Sequence, residues 1–194
     1  TIYNFIDKDT IYELSKVELP EDVMDFLGGS PFFLNVGRLH EQKNQRRLIL
    51  QFKMFHETDH KNIKLLILGS RKLLNNLIDY IHELNLNNYI KIISYTQNPF
   101  VFMAHAFSLI VSSHYEGLPN VILESMLLGC PVITTDCMAG PRELLQDEKD
   151  YKKELKKLKI CKRGILVSDD ESEDIGTTRY LAEAMKIVSI NEEI

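Results

Sequence analysis

Short runs of β-branched and aromatic residues alternate along the chain with longer segments whose apolar residues recur every three or four positions. Phe32 to Val36, bounded by Pro31 and Gly37, predicts a first strand. Lys43 to Glu57 predicts a helix with Leu48, Phe52 and Phe55 on one face. Lys64 to Leu68 predicts a buried strand ending at Gly69, followed by a helix over Leu73 to Leu84. Ile90 to Ile93, Phe107 to Val111 and Pro131 to Thr135 predict further strands, with a late short one at Ile165 to Val167. Pro99 to His105, Val121 to Leu128 and Tyr180 to Val188 predict the helices between and after them. Strands linked by helical crossovers predict a Rossmann-like, doubly wound parallel α/β sheet, with ligands at the carboxyl ends of its strands. Residues 1–30 lack this alternation and read as a lead-in, leaving 31–190 as the domain. Residues 146–163 predict a basic amphipathic helix with Tyr151, Leu155 and Leu158 on one face. Its first reading is a solvated surface helix, its second a contact with anionic lipid or a partner protein.

Composition narrows the function classes. With 194 residues the chain fits one large domain. Lys and Arg number 23 against 28 Asp and Glu, giving a net charge of −5, a poor match to a nucleic-acid phosphate backbone. No apolar run approaches the roughly 18–20 residues that span a bilayer. Cys130, Cys137 and Cys161 follow neither a redox nor a zinc spacing and read as reduced thiols of a cytoplasmic protein. The chain opens on Thr1-Ile2-Tyr3-Asn4, without Met or a signal peptide, and reads as part of a longer protein. His56 to His60 matches H-E-x-x-H but falls at a helix end, so no metal and no cofactor is expected. The chain has no GxSxG, Walker A or GxGxxG motif, which disfavours hydrolase, P-loop and dinucleotide readings.

Two strand-end segments carry candidate chemistry. Gly37 permits a tight turn after the first strand, and Arg38 and Lys43 then place cations beside a helix start, where an anion is already favoured. After the fourth strand, Glu116 lies in a loop, Asn120 is placed to cap the next helix, and Glu124 follows inside an otherwise apolar run. A carboxylate there is costly to bury unpaired, and a ribose diol would satisfy it. His114 borders this segment and reads as a packing residue or one supporting the site from behind, with a direct site role the alternative, and the amides opening the helix can hold a phosphate.

In order, VGRLHEQKN (36–44), SSHYEGLPNVILES (112–125) and GCPVITTDCMAGPREL (129–144) resemble the retaining GT-B glycosyltransferases of the large "group 1" family. Glu116 and Glu124 match that family's E-x7-E element, and Gly37, Arg38 and Lys43 its glycine and phosphate-binding cations. Tyr3-Asn4 is similar to the start of its C-terminal domain, and Arg163 to Val167 to its last strand. The resemblance implies the donor-binding, C-terminal half of a transferase. Such an enzyme moves a hexose or N-acetylhexosamine from a nucleotide-sugar, with UDP the expected base, to a hydroxyl during bacterial polysaccharide or glycolipid assembly. It implies catalytic roles for Arg38, Lys43 and Glu116, the two cations stabilising the leaving diphosphate in place of a metal. Donor contacts would come from Gly37, Ser94, Tyr95, Gly117, Leu118, Asn120, Val121 and Glu124, with Glu124 on the ribose and Ser94 and Tyr95 near the base. The acceptor would bind a separate N-terminal domain, with peripheral contact at the inner face of the membrane, and this chain alone would be inactive. Departures are Gly69-Ser70-Arg71 in place of a Gly-x-Gly, Ser125 in place of an alanine, and the insertion-like 146–163. Rival readings are a nucleotide-sugar binding or regulatory module, and another GT-B enzyme such as a sugar-nucleotide epimerase.

Overall fold

Alternation within the strands sets the architecture. The computed structural model describes residues 7–59, 62–70, 72–94, 96–137, 140–145, 155–169 and 179–190. Their strands are β1 (Phe32–Val36), β2 (Lys64–Leu68), β3 (Ile90–Ile93), β4 (Ser108–Val111), β5 (Val132–Thr135), β6 (Leu158–Cys161) and β7 (Gly164–Val167). The helices are α1 (Lys8–Ser15), α2 (Glu21–Leu27), α3 (Gln45–Asp59), α4 (Leu74–Glu83), α5 (Phe100–His105), α6 (Asn120–Leu127), α7 (Pro141–Leu145) and α8 (Tyr180–Ile190). The sheet order is β3-β2-β1-β4-β5-β7-β6, parallel except for β6. Phe33, Leu65, Ile67, Ile110, Ile133 and Ile165 pack with α3, α4 and α8 on one face. Phe32, Leu34, Leu66, Leu68, Leu109 and Val132 pack with α2, α5 and α6 on the other. Both faces are buried, as a parallel sheet under helical crossovers requires.

The chain runs outward from β1 through β2 to β3 and then returns to β4 on the other side of β1. This reversal makes the carboxyl ends of β1 and β4 the topological switch point. The β1–β4 register ends at Leu34↔Leu109. Beyond it the buried Asn35 side chain takes over, donating Nδ2 to the Ile110 carbonyl at 2.8 Å. The loops leaving these two strands carry the candidate residues.

Two expectations change. Residues 7–30 of the lead-in hold α1 and α2, with α2 placing Val23 and Leu27 in the core. Tyr12 of α1 donates its hydroxyl to the Leu127 carbonyl at 3.1 Å, and Asn98 donates to Leu14 O at 2.8 Å. The basic helix expected over 146–163 is corrected: Leu158–Cys161 form a strand, antiparallel to β7 at the sheet edge. Lysines flank only one paired edge there, so β7 decides the conformation rather than helical spacing. Tyr151 and the rest of 146–154 lie outside the described residues. No helix among the described residues is long and apolar enough to cross a membrane.

Candidate functional site

Lys43 does not begin α3 as its spacing suggested; it ends a 3₁₀ turn, Glu41–Lys43. Asn44 then turns the chain at φ 48° and caps α3 by accepting from Arg47 N at 3.3 Å. The turn folds Lys43 back so that its aliphatic stem lies over Gly37, where a Cβ would touch Cε at 3.5 Å. Its Nζ meets Oε1 of Glu116 at 2.5 Å, with the two side chains only 17% and 8% exposed. Gln45, buried beneath, donates to the Arg38 carbonyl at 3.0 Å and fixes the backbone of that residue. The Arg38 side chain is exposed and has no partner among the described residues.

The loop after β4 is held from several sides. Ser112 Oγ donates to the Lys43 carbonyl at 2.7 Å, and His114 N to the Gln42 carbonyl at 2.9 Å. Gln42 Nε2 returns a bond to the Tyr115 carbonyl at 2.8 Å. Thr135, at the end of β5, donates to the Ser113 carbonyl at 2.5 Å. Ser113 Oγ donates to Glu116 Oε1 at 2.5 Å, so that one oxygen carries both the serine and Lys43. Oε2 of Glu116 has no hydrogen-bond partner among the described residues. The carboxylate is thus oriented by two donors while keeping acceptor capacity for a hydroxyl.

The helix after this loop starts one residue earlier than a cap at Asn120 would place it. Pro119 occupies the cap position without a side-chain bond, and Asn120 is the exposed first residue of α6. The fixed proline φ suits that entry, which corrects the capping role expected of Asn120. Gly117 is exposed, and Leu118 and Val121 are half-buried. Glu124 is half-buried on α6, and burial raises its carboxyl above the ordinary 4.5. Its carboxylate has no partner among the described residues, so none of them compensates its desolvation. Burial first, and the charge of Glu116 second, push the nearby Cys137 thiol up to about 11.

The structure therefore brings Gly37, Lys43 and Glu116 into contact, while Arg38 sits exposed beside Gly37 and Asn120 and Glu124 lie on α6, the helix after the Glu116 loop. Ser94 lies exposed at the end of β3, with β2 between it and β1. Tyr95 lies outside the described residues. Sequence reasoning missed Gln42, Ser112, Ser113 and Thr135, which hold the site from three separate segments of the chain. It also missed the pairing of Arg142 with the buried Asp136, which holds α7 to the end of β5. Small hydroxyls just past apolar strands are the one signal that pointed to them. His56 of the H-E-x-x-H run packs its ring against Phe52 and Tyr89, and His60 lies outside the described residues.

Residues 22–176 match the family described as glycosyl transferases group 1. An uncharacterized glycosyltransferase, MJ1059, of Methanocaldococcus jannaschii is 41% identical over 145 residues, covering 75% of this chain and 36% of that protein. An N-acetylgalactosamine-N,N'-diacetylbacillosaminyl-diphospho-undecaprenol 4-alpha-N-acetylgalactosaminyltransferase of Campylobacter jejuni is 34% identical over 147 residues, covering 76% and 37%. The chain thus spans a little over a third of the length of these relatives. Among solved structures, S. aureus TarM in a complex with UDP matches with a TM-score of 0.67 at 20% identity, over 84% of this chain and 29% of TarM. HepE of Anabaena, solved with UDP, matches with a TM-score of 0.65 at 20% identity, over 97% and 46%. These structures share the Rossmann-like fold, one half of the GT-B architecture. Fold, motif order and family match agree, and the chain belongs to the group 1 glycosyl transferases.

Proposed function

We propose that residues 31–190, with α1 and α2 attached, form the nucleotide-sugar donor-binding part of a retaining glycosyltransferase. The donor is a UDP-hexose or UDP-N-acetylhexosamine, and the acceptor is a hydroxyl of a growing polysaccharide or glycolipid. The observation that carries this reading is Glu124, a half-buried carboxylate with no partner among the described residues, about one turn into the helix that follows a loop carboxylate oriented by Lys43 and Ser113. A ribose diol supplies the two hydroxyl donors that Glu124 lacks. Oε2 of Glu116 accepts from a sugar hydroxyl, and the cations Arg38 and Lys43 face the diphosphate and its developing charge. The amides opening α6 at Asn120 and Val121, reached through Gly117 and Leu118, add donors to the phosphates. Ser94 and Tyr95 lie toward the base.

The names of the relatives support the substrate class, since one acts on a diphospho-undecaprenol-linked sugar and another is a capsular polysaccharide biosynthesis glycosyltransferase. On this reading the acceptor binds a separate N-terminal domain, the protein works on the cytoplasmic side in peripheral contact with the membrane, and this chain alone transfers no sugar. Calorimetric titration with UDP and UDP-sugars tests it. Binding should weaken about tenfold or more in Glu124→Ala and in Arg38→Ala, as expected for one lost charged hydrogen bond. Absence of binding to any nucleotide refutes the donor assignment, and turnover by this chain alone refutes its dependence on a second domain.

A further inference from the structure

A second charged cluster stands beside the donor loop and is not used by the reading above. Arg47, on the first turn of α3, donates Nη1 to Oδ1 of Asp169 at 2.7 Å and Nη2 to the Ser168 carbonyl at 3.1 Å. Both charged side chains are mostly out of water, at 14% and 17% exposed. The guanidinium therefore grips the chain just past β7 in two directions, which fixes the Asp169 carboxylate as a single hydrogen bond would not. The other oxygen, Oδ2, lies 3.7 Å from Nδ1 of His114, within ion-pair reach when the imidazole is protonated. His114 sits two residues before Glu116, and its amide already bonds the Gln42 carbonyl.

We propose that Asp169, held by Arg47, is a positioning residue for Glu116. It backs the His114 ring from the β7 side and so restrains the loop that aims Glu116 at Lys43. The Gln42 and Thr135 side chains donate to the Tyr115 and Ser113 carbonyls, and His114 N donates to the Gln42 carbonyl, fixing the loop backbone at these three residues. Asp169 adds a side-chain restraint from a third element, and Arg47 ties that restraint to α3, the helix that follows Lys43 within two residues. The two partners of the Lys43–Glu116 bond are thereby held relative to each other through Arg47, Asp169 and His114. This inference rests on the donor-site reading, in which Glu116 contacts the transferred sugar and not the nucleotide.

That division gives a readout that general destabilisation does not move. Calorimetry on the whole chain would compare UDP with UDP-glucose and UDP-N-acetylglucosamine, for the wild type, Asp169→Asn, Arg47→Lys and His114→Asn. Thermal melting of each variant would run alongside. Asp169→Asn should lose about fivefold or more in affinity for whichever sugar nucleotide binds, while UDP changes less than about twofold. The loss should vanish in a Glu116→Gln background, because the restraint acts through that carboxylate. Arg47→Lys, which keeps the charge but not the fork, should fall between wild type and Asp169→Asn. If Asp169→Asn fails to fold, the comparison rests on Arg47→Lys and His114→Asn. Equal losses for UDP and the UDP-sugars, or losses additive with Glu116→Gln, overturn the positioning role while leaving the donor reading intact. A wild-type chain that binds none of the three ligands overturns both.

Discussion

Replacing Gly140 by alanine tests how closely the loop after β5 supports the donor loop. A Cβ at this position falls well inside contact with the Gly117 carbonyl oxygen and 2.8 Å from Cδ of Pro119, and φ there is +59°. The left-handed backbone costs an L-residue about 1–2 kcal/mol. Forcing a methyl against backbone adds about 1–3 kcal/mol, and the lower unfolded-state entropy of alanine returns roughly 0.4–1 kcal/mol. Gly140→Ala should therefore cost about 2–4 kcal/mol. At about 2–4 °C per kcal/mol for a domain of this size, Tm should fall by roughly 4–16 °C. Two controls separate the causes. Gly129 shares the positive φ, +73°, but has nothing within 4 Å, so Gly129→Ala should cost only about 1 kcal/mol. Gly69 has no left-handed φ, yet its Cβ would collide with the Gly37 carbonyl oxygen and approach Leu39 Cδ2 at 3.0 Å, so Gly69→Ala isolates the contact. Thermal melts of the three variants provide the assay. Equal Tm losses for Gly140→Ala and Gly129→Ala would falsify the close approach of the two loops.

Two further outcomes follow from the titrating groups. Burial raises the folded-state pKa of Glu124 above 4.5, so the native chain binds more protons than the unfolded one as pH rises from that value. Stability contributed by protonated Glu124 is present below that value and is lost as pH climbs through the raised pKa. Glu124→Gln should therefore raise the urea midpoint at pH 7 and lose that advantage below about pH 4.5, while weakening nucleotide binding; an unchanged or lower midpoint at pH 7 refutes the desolvation argument. With its thiol near 11, Cys137 is about one part in a thousand thiolate at pH 8, so iodoacetamide should label it far more slowly than the more exposed Cys161. Glu116→Gln should speed labelling of Cys137 by removing the second cause of its shift, and identical rates in wild type and variant, followed by peptide mass spectrometry, count against that contact.

The strands β1, β2 and β3 lie where their apolar runs placed them, β1 and β2 because they are buried on both faces, and β3 because its edge pairs with β2. What escaped was set by partners distant in the chain. The run Leu158-Lys159-Ile160-Cys161 alternates apolar and polar residues over only four positions, too short to outweigh the flanking lysines, and becomes β6 through pairing with β7. α1 buries Ile11 among its residues, too little apolar periodicity to stand out, and it docks through Tyr12 and the Leu14 carbonyl. At the candidate site, residue type and spacing pointed to Gly37, Lys43, Glu116 and Glu124, and the structure brings the first three into contact. The bond from Ser112 to Lys43 spans 69 positions and that from Arg47 to Asp169 spans 122, and no local pattern encodes either.

The bond between Lys43 and Glu116 also bears on what the site rejects. A cation already satisfied by a carboxylate offers a small anion little net attraction, because capturing Lys43 strands a largely buried Glu116 without its counter-charge. Inorganic phosphate has nothing to give Glu116 in return. A sugar nucleotide of the proposed kind carries both halves of the exchange, phosphate oxygens for the lysine and hydroxyl protons for the glutamate. On the proposed reading the pair would work as a double lock that two-headed ligands can turn and simple anions cannot, keeping Lys43 from being captured by phosphate alone.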